Sequence, residues 1–135
     1  MSTPLTSVLS HASVHQVSLL SLDNKASREF YEGKLGAECL AEFDPPGLLF
    51  FKVGATRLLL DKNGKPGLVY FAVADIESAV AEMKQAGIEF EADIAAVFKD
   101  DEGLFGVAGD TEFMAFFKDP AENILALVQQ KRAGD

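Results

Sequence analysis

The sequence predicts an α+β fold in which two βαβββ modules form curved mixed sheets around a cavity. Three observations carry that expectation. The apolar run Val17-Ser18-Leu19-Leu20-Ser21-Leu22 closes on Asp23, and a second run, Val69-Tyr70-Phe71-Ala72-Val73-Ala74, closes on Asp75, 52 residues later. Each aspartate is followed by an amphipathic stretch that ends on a glycine, Gly36 in the first case and Gly87, 51 residues on, in the second. After each glycine come short apolar runs separated by turn residues. A repeat of this period filling the chain defines the architecture.

Taken in order, the first run, about residues 14–22, alternates small polar with aliphatic residues and reads as a strand. Asp23 or Asn24 caps a helix that carries Phe30, Tyr31 and Leu35 on one face and stops at Gly36. Glu38 to Phe43, Leu48 to Val53 and Thr56 to Asp61 are the next three strands, separated by Pro45-Pro46-Gly47 and Gly54-Ala55. Residues 62–67, Lys-Asn-Gly-Lys-Pro-Gly, form the linker. The second module begins with a strand at residues 68–74 and a helix capped by Asp75 that runs to Ala86. Residues 88–98 are expected to be extended but interrupted. Lys99 to Asp110, with four acidic residues and three glycines, reads as a long mobile rim. Phe113 to Phe117 and Asn123 to Gln129 are the last strands, and residues 131–135 form a tail. The expected organisation is one domain over residues 1–135, with module one at about 14–61 and module two at about 68–129.

Composition narrows the function. At 135 residues, 48% hydrophobic with 11 phenylalanines, the chain can bury one core. A net charge of −9 argues against nucleic acid or an anionic membrane as partner, since both are held by clustered cations. The N-terminus has no basic, then apolar, leader and no segment long enough to span a bilayer, so the expected location is the cytoplasm. Cys39 is the one cysteine; it cannot form an intramolecular disulfide. No Ser-His-Asp pattern, phosphate loop or Cys/His zinc spacing is present. The carboxylates Glu89, Glu91, Asp93, Asp100, Asp101 and Glu102 read as a solvated face rather than a paired acid and base.

The element order, Phe30-Tyr31 followed by Leu35-Gly36, and the closing Phe117-Lys118-Asp119-Pro120-Ala121-Glu122-Asn123-Ile124-Leu125 resemble the vicinal oxygen chelate superfamily, which includes glyoxalases, bleomycin resistance proteins and extradiol dioxygenases. The resemblance spans about residues 14–129. It implies four metal-ligand positions on inward strand faces. Here they fall on Gln16, with His15 beside it, on Leu68, and on Leu58 and Ala126. Aliphatic side chains offer no lone pair, so no metal and no cofactor are expected.

What remains is an inward wall of Gln16, Ser18 and Leu20 facing Leu68, Tyr70 and Ala72, completed by Leu58, Leu60, Ala126 and Val128, if the alternation is read correctly. The aliphatic residues fit a cavity wall or a filled core equally well. Gln16, Ser18 and Tyr70 carry polar groups that need partners when buried, and a bound ligand would serve. The expected function is metal-independent binding of a small, partly apolar or aromatic molecule, in the manner of a sequestering or resistance protein, by a homodimer. The alternative is a glyoxalase- or dioxygenase-like enzyme with a displaced or absent metal site. By strand parity Arg57 points away from this wall, so the pocket should prefer neutral or cationic ligands to anions.

Overall fold

The computed structural model describes residues 9–134. A 3₁₀ turn (Leu9–His11) leads into β1 (Gln16–Leu20), and helix α1 (Asn24–Arg28) continues as a π-helical segment (Glu29–Lys34). Three strands complete the first module: β2 (Glu38–Phe43), β3 (Leu48–Val53) and β4 (Thr56–Asp61). The second module repeats the order with β5 (Leu68–Ala72), α2 (Ile76–Gln85), β6 (Ala95–Asp100), β7 (Asp110–Lys118) and β8 (Ile124–Lys131). Each module is a four-stranded mixed sheet. The strand orders are β1-β4-β3-β2 and β5-β8-β7-β6, with the first strand of each module parallel to its last.

Local chemistry explains the helices. Asp23 accepts from the amides of Lys25 (2.9 Å) and Ala26 (3.4 Å), and Asp75 accepts from that of Ser78 (3.2 Å). Both carboxylates thereby satisfy amides left open at a helix start and favour its positive pole. The first helix differs from the regular α-helix expected. Its second half widens, with the Leu35 amide donating to the Phe30 carbonyl (3.0 Å). That bond spans five residues, as in a π-helix. The wider turn buries the adjacent rings Phe30 and Tyr31 together, at 7% and 1% exposure. Gly36 (φ +74) and Gly87 (φ +89) then leave the two helices through the left-handed region.

Both sheets turn one face to a shared core. Leu19, Leu49, Phe51, Leu58 and Leu60 of the first sheet join Ala115, Phe117, Leu125 and Leu127 of the second, with Tyr31, Ile76, Val80 and Met83 from the helices between them. Ring contacts cross the boundary, Phe30 lying 6.4 Å from Phe117. A polar clasp crosses it too. The Asp119 carboxylate accepts from the Tyr31 hydroxyl (2.7 Å), the Asn123 side-chain amide (2.7 Å) and the backbone amides of Ala121 and Asn123 (both 2.9 Å). Asn123 in turn donates to the Leu20 carbonyl (2.7 Å) and accepts from the Gly67 amide (2.9 Å). Burial foremost, then the Asp119 charge and hydrogen bond, push the Tyr31 phenol far above its usual range, so it stays protonated.

The segment read as a mobile rim is shorter than expected and is tied at one end to a buried carboxylate. Strand β6 runs through Asp100 and β7 starts at Asp110, so the expected loop at Lys99 to Asp110 shortens to residues 101–109. Asp100 is fully buried, and its carboxylate accepts from the amides of Leu104 (2.7 Å) and Phe105 (2.9 Å) and from Gln130 Nε2 (2.9 Å). The edge strands β2 and β6 each carry a bulge, at Leu40 and Val97, the same place in the repeat. A bulge kinks an edge and discourages unwanted strand pairing. Strand β8 extends to Lys131, two residues past the expected end.

Candidate functional site: the open sheet faces

The inner faces of both sheets pack into the core, and Gln16, Ser18, Leu68 and Tyr70 stand on the outer, open faces. The register assigns the first one row by row. Gln16 lies beside Arg57, which lies beside Lys52 and then Glu38; Ser18, Leu59, Phe50 and Ala41 make the next row; Leu20, Asp61, Leu48 and Phe43 make the third. Directly opposed residues project to one side of a sheet. Contacts agree with this reading: Arg57 Nε donates to Gln16 Oε1 at 3.0 Å, and its guanidinium lies 5.6 Å from the centre of the Phe50 ring. Phe43 meets Phe50 edge-on at 6.0 Å.

Two expectations are corrected here. Leu58 and Leu60 do not share a face with Gln16 and Ser18; they are buried beside Leu19 in the core. Arg57, expected to point away, stands on the open face next to Gln16. The cause is a one-residue parity error in Thr56-Arg57-Leu58-Leu59-Leu60-Asp61, where three consecutive leucines hide the alternation and a single slip exchanges faces. The polar pair Gln16 and Arg57 was the available signal.

On the second sheet Leu68, Ile124 and Lys118 form one row, Tyr70, Ala126 and Phe116 the next, and Ala72, Val128, Met114 and Ala95 the third. The Tyr70 and Phe116 rings meet edge-on, centroids 6.1 Å apart, on either side of the fully buried Ala126. Leu68 and Tyr70 are half exposed. Thus Gln16 and Ser18 line one open face while Leu68, Tyr70 and Ala126 line another. Each is turned away from the shared core, so the single enclosed wall expected from sequence is divided between two surfaces of one chain.

A separate cavity of about 310 Å³ lies between the modules on their core side, walled by Tyr31, Leu35, Val53, Leu58, Phe71 and Met83 among others. Of the sequence-predicted site residues it takes in Leu58 alone.

The donor set does not fit a divalent metal. By the repeat, Ala126 beside Tyr70 matches Leu59 beside Ser18, so the first-module slot assigned to Leu58 moves to Leu59, which is equally aliphatic. With Leu68 and Ala126 in the second module, only Gln16 offers a lone pair. Its amide oxygen already accepts from Arg57, and that cation would repel another. Among the described residues no three His, Cys, Asp or Glu side chains are grouped as a metal site.

A family model for the glyoxalase/bleomycin resistance protein/dioxygenase superfamily matches residues 13–127. The chain belongs to this superfamily. Its two four-stranded mixed sheets are the superfamily fold, and solved structures superpose on it. A lactoylglutathione lyase from Agrobacterium tumefaciens aligns with TM-score 0.71 at 20% identity, over 87% of this chain and 93% of that one. A glyoxalase family protein from Enterococcus faecalis gives 0.67 at 26%, over 87% and 98%. An antibiotic binding protein from a Streptomyces species gives 0.70 at 18%, over 89% and 97%. No curated protein matches the chain. No helix among the described residues is long and apolar enough to cross a membrane.

Proposed function

We propose that this superfamily member binds a small, partly aromatic molecule without a metal ion, on open sheet faces that a second copy of the chain closes. The observation that carries the reading is the second sheet's open face, where Tyr70 (51% exposed), Leu68 (47%) and Ile124 (41%) leave aromatic and aliphatic surface in water around Phe116. A contiguous patch of that kind on a charged chain favours a ligand or a partner. Apolar burial supplies affinity, while Gln16, Ser18 and the Tyr70 hydroxyl supply orientation. The antibiotic binding protein among the structural relatives lends support, as a fold mate named for binding a small molecule. A cytoplasmic setting suits the single thiol, Cys39, which is free.

Two measurements test the proposal. Sedimentation at micromolar concentration should give about twice 14.5 kDa; a clean monomer would remove the closing partner. Elemental analysis of protein purified without chelator should find no stoichiometric metal, and chelator should leave the melting temperature unchanged, because a ligand that binds only the folded state stabilises it by mass action. A bound metal whose removal lowers the melting temperature would favour the enzymatic alternative, with ligands displaced from the positions above.

A further inference from the structure

We infer that the first sheet's open face selects an aromatic carboxylate, with Arg57 as its anion-pairing residue; this rests on the small-molecule reading above and adds the chemical class. Arg57 makes no ion pair among the described residues, in a chain with 21 acidic and 12 basic side chains. Its Nε is committed to Gln16 Oε1. Arginine only donates, so the Gln16 amide must present its oxygen to the guanidinium and its Nε2 hydrogens elsewhere.

The two Nη groups are left with parallel hydrogens, the fork that matches a carboxylate in bidentate geometry. The remaining groups nearby are chiefly donors: Gln16 Nε2, the Ser18 hydroxyl one row along, and the Lys52 ammonium beside Arg57 in the same row. Two carboxylates share the face. Glu38 lies beyond Lys52 at the edge strand, and Asp61 lies two rows away from Arg57. Neither is within ion-pair distance of Arg57. Phe50 lies under the guanidinium and meets Phe43 at its edge, with Leu59 on the neighbouring strand. The face therefore pairs an oriented cation with an aromatic floor. A planar ring bearing a carboxylate satisfies both, the anion on the fork and the ring on Phe50 and Leu59.

The test uses two probes of one shape, 2-naphthoate and neutral 2-naphthamide, titrated into the full chain at pH 7 and followed by amide chemical shifts and calorimetry. Naphthoate should bind about tenfold or more tightly than naphthamide, with shifts centred on Gln16, Phe50 and Arg57, and the difference should shrink as salt rises. Arg57→Leu, at an exposed site where folding is readily checked by melting temperature, should bring naphthoate down to the affinity of naphthamide. Arg57→Lys should recover only part, since an ammonium lacks the planar fork. Equal binding of both probes to the native chain, or a naphthoate preference that survives Arg57→Leu, would overturn the assignment while leaving the small-molecule reading in place. Absence of binding by either probe would overturn both.

Discussion

Two buried aspartates do different work, and each predicts a distinct experiment. Asp119 collects four donors from both modules, so Tyr31→Phe removes one charge-assisted hydrogen bond across the module boundary without opening a cavity. The expected loss is about 1.5–3 kcal/mol in urea unfolding, the range for hydrogen bonds to charged groups. Asp119→Asn should cost more, because it turns an amide toward groups that themselves donate. Asp100 anchors the 101–109 loop. Burial raises its pKa, but the hydrogen bonds from Phe105, Leu104, Gln130 and Gly106 together outweigh that, and the carboxyl titrates below its ordinary range. A group with a depressed folded-state pKa contributes stability that is fully present above its unfolded value, about 3.9. That contribution disappears as pH falls through the lower folded value. Amide protection at Leu104 and Phe105 should therefore hold at neutral pH and fall in acid below about pH 4. Asp100→Ala should give fast exchange there at every pH. At this scale the sequence was legible where chemistry was redundant: Asp23 and Asp75 end apolar runs and begin helices, and they cap as expected. It was illegible at Arg57, because Leu58, Leu59 and Leu60 satisfy either parity and only the pairing with Gln16 decides.

The elements were easier to read than their faces. Turn chemistry placed β2, β3 and β4 at their observed bounds, since Pro45-Pro46-Gly47 and Gly54-Ala55 leave no alternative breaks. The π-helical half of the first helix had no such signal; it follows from tertiary demand to bury Phe30 and Tyr31 side by side, which regular helical spacing does not report. The anchoring of the 101–109 loop escaped for a related reason: sequence does not report that the Asp100 carboxylate is buried and gathers the loop's amides. Capping offers a direct check on the second helix. Asp75→Ala should cost about 1 kcal/mol, with the loss of protection concentrated at Ile76 to Ala79. Ala126→Phe tests the second sheet. Ala126 is fully buried between Tyr70 and Phe116, so the added ring has no space and should destabilise by about 1–3 kcal/mol. A fold of unchanged stability would mean that the two aromatic rings swing apart readily and that the open face is adaptable there.

For the molecule as a whole, the repeat announced two modules, and their shared core together with the clasp leads us to infer one cooperative unit. Thermal unfolding should be a single transition in which calorimetric and van't Hoff enthalpies agree; two resolved transitions would make the modules independent. Sequence could not say which surfaces meet, because an apolar strand residue serves a core and a ligand equally well. The clasp also bears on how alike the two modules are. Asp119 and Asn123 sit in the turn between β7 and β8, and the corresponding turn of the first module is only Gly54-Ala55. The lock therefore belongs to one half and the sockets, Tyr31, the Leu20 carbonyl and the Gly67 amide, to the other half and the linker. The two halves share one element order, yet across the clasp they are complementary rather than equivalent. A chain built from two first modules would have sockets and no lock, and one built from two second modules the reverse, so the two modules are not interchangeable at this clasp.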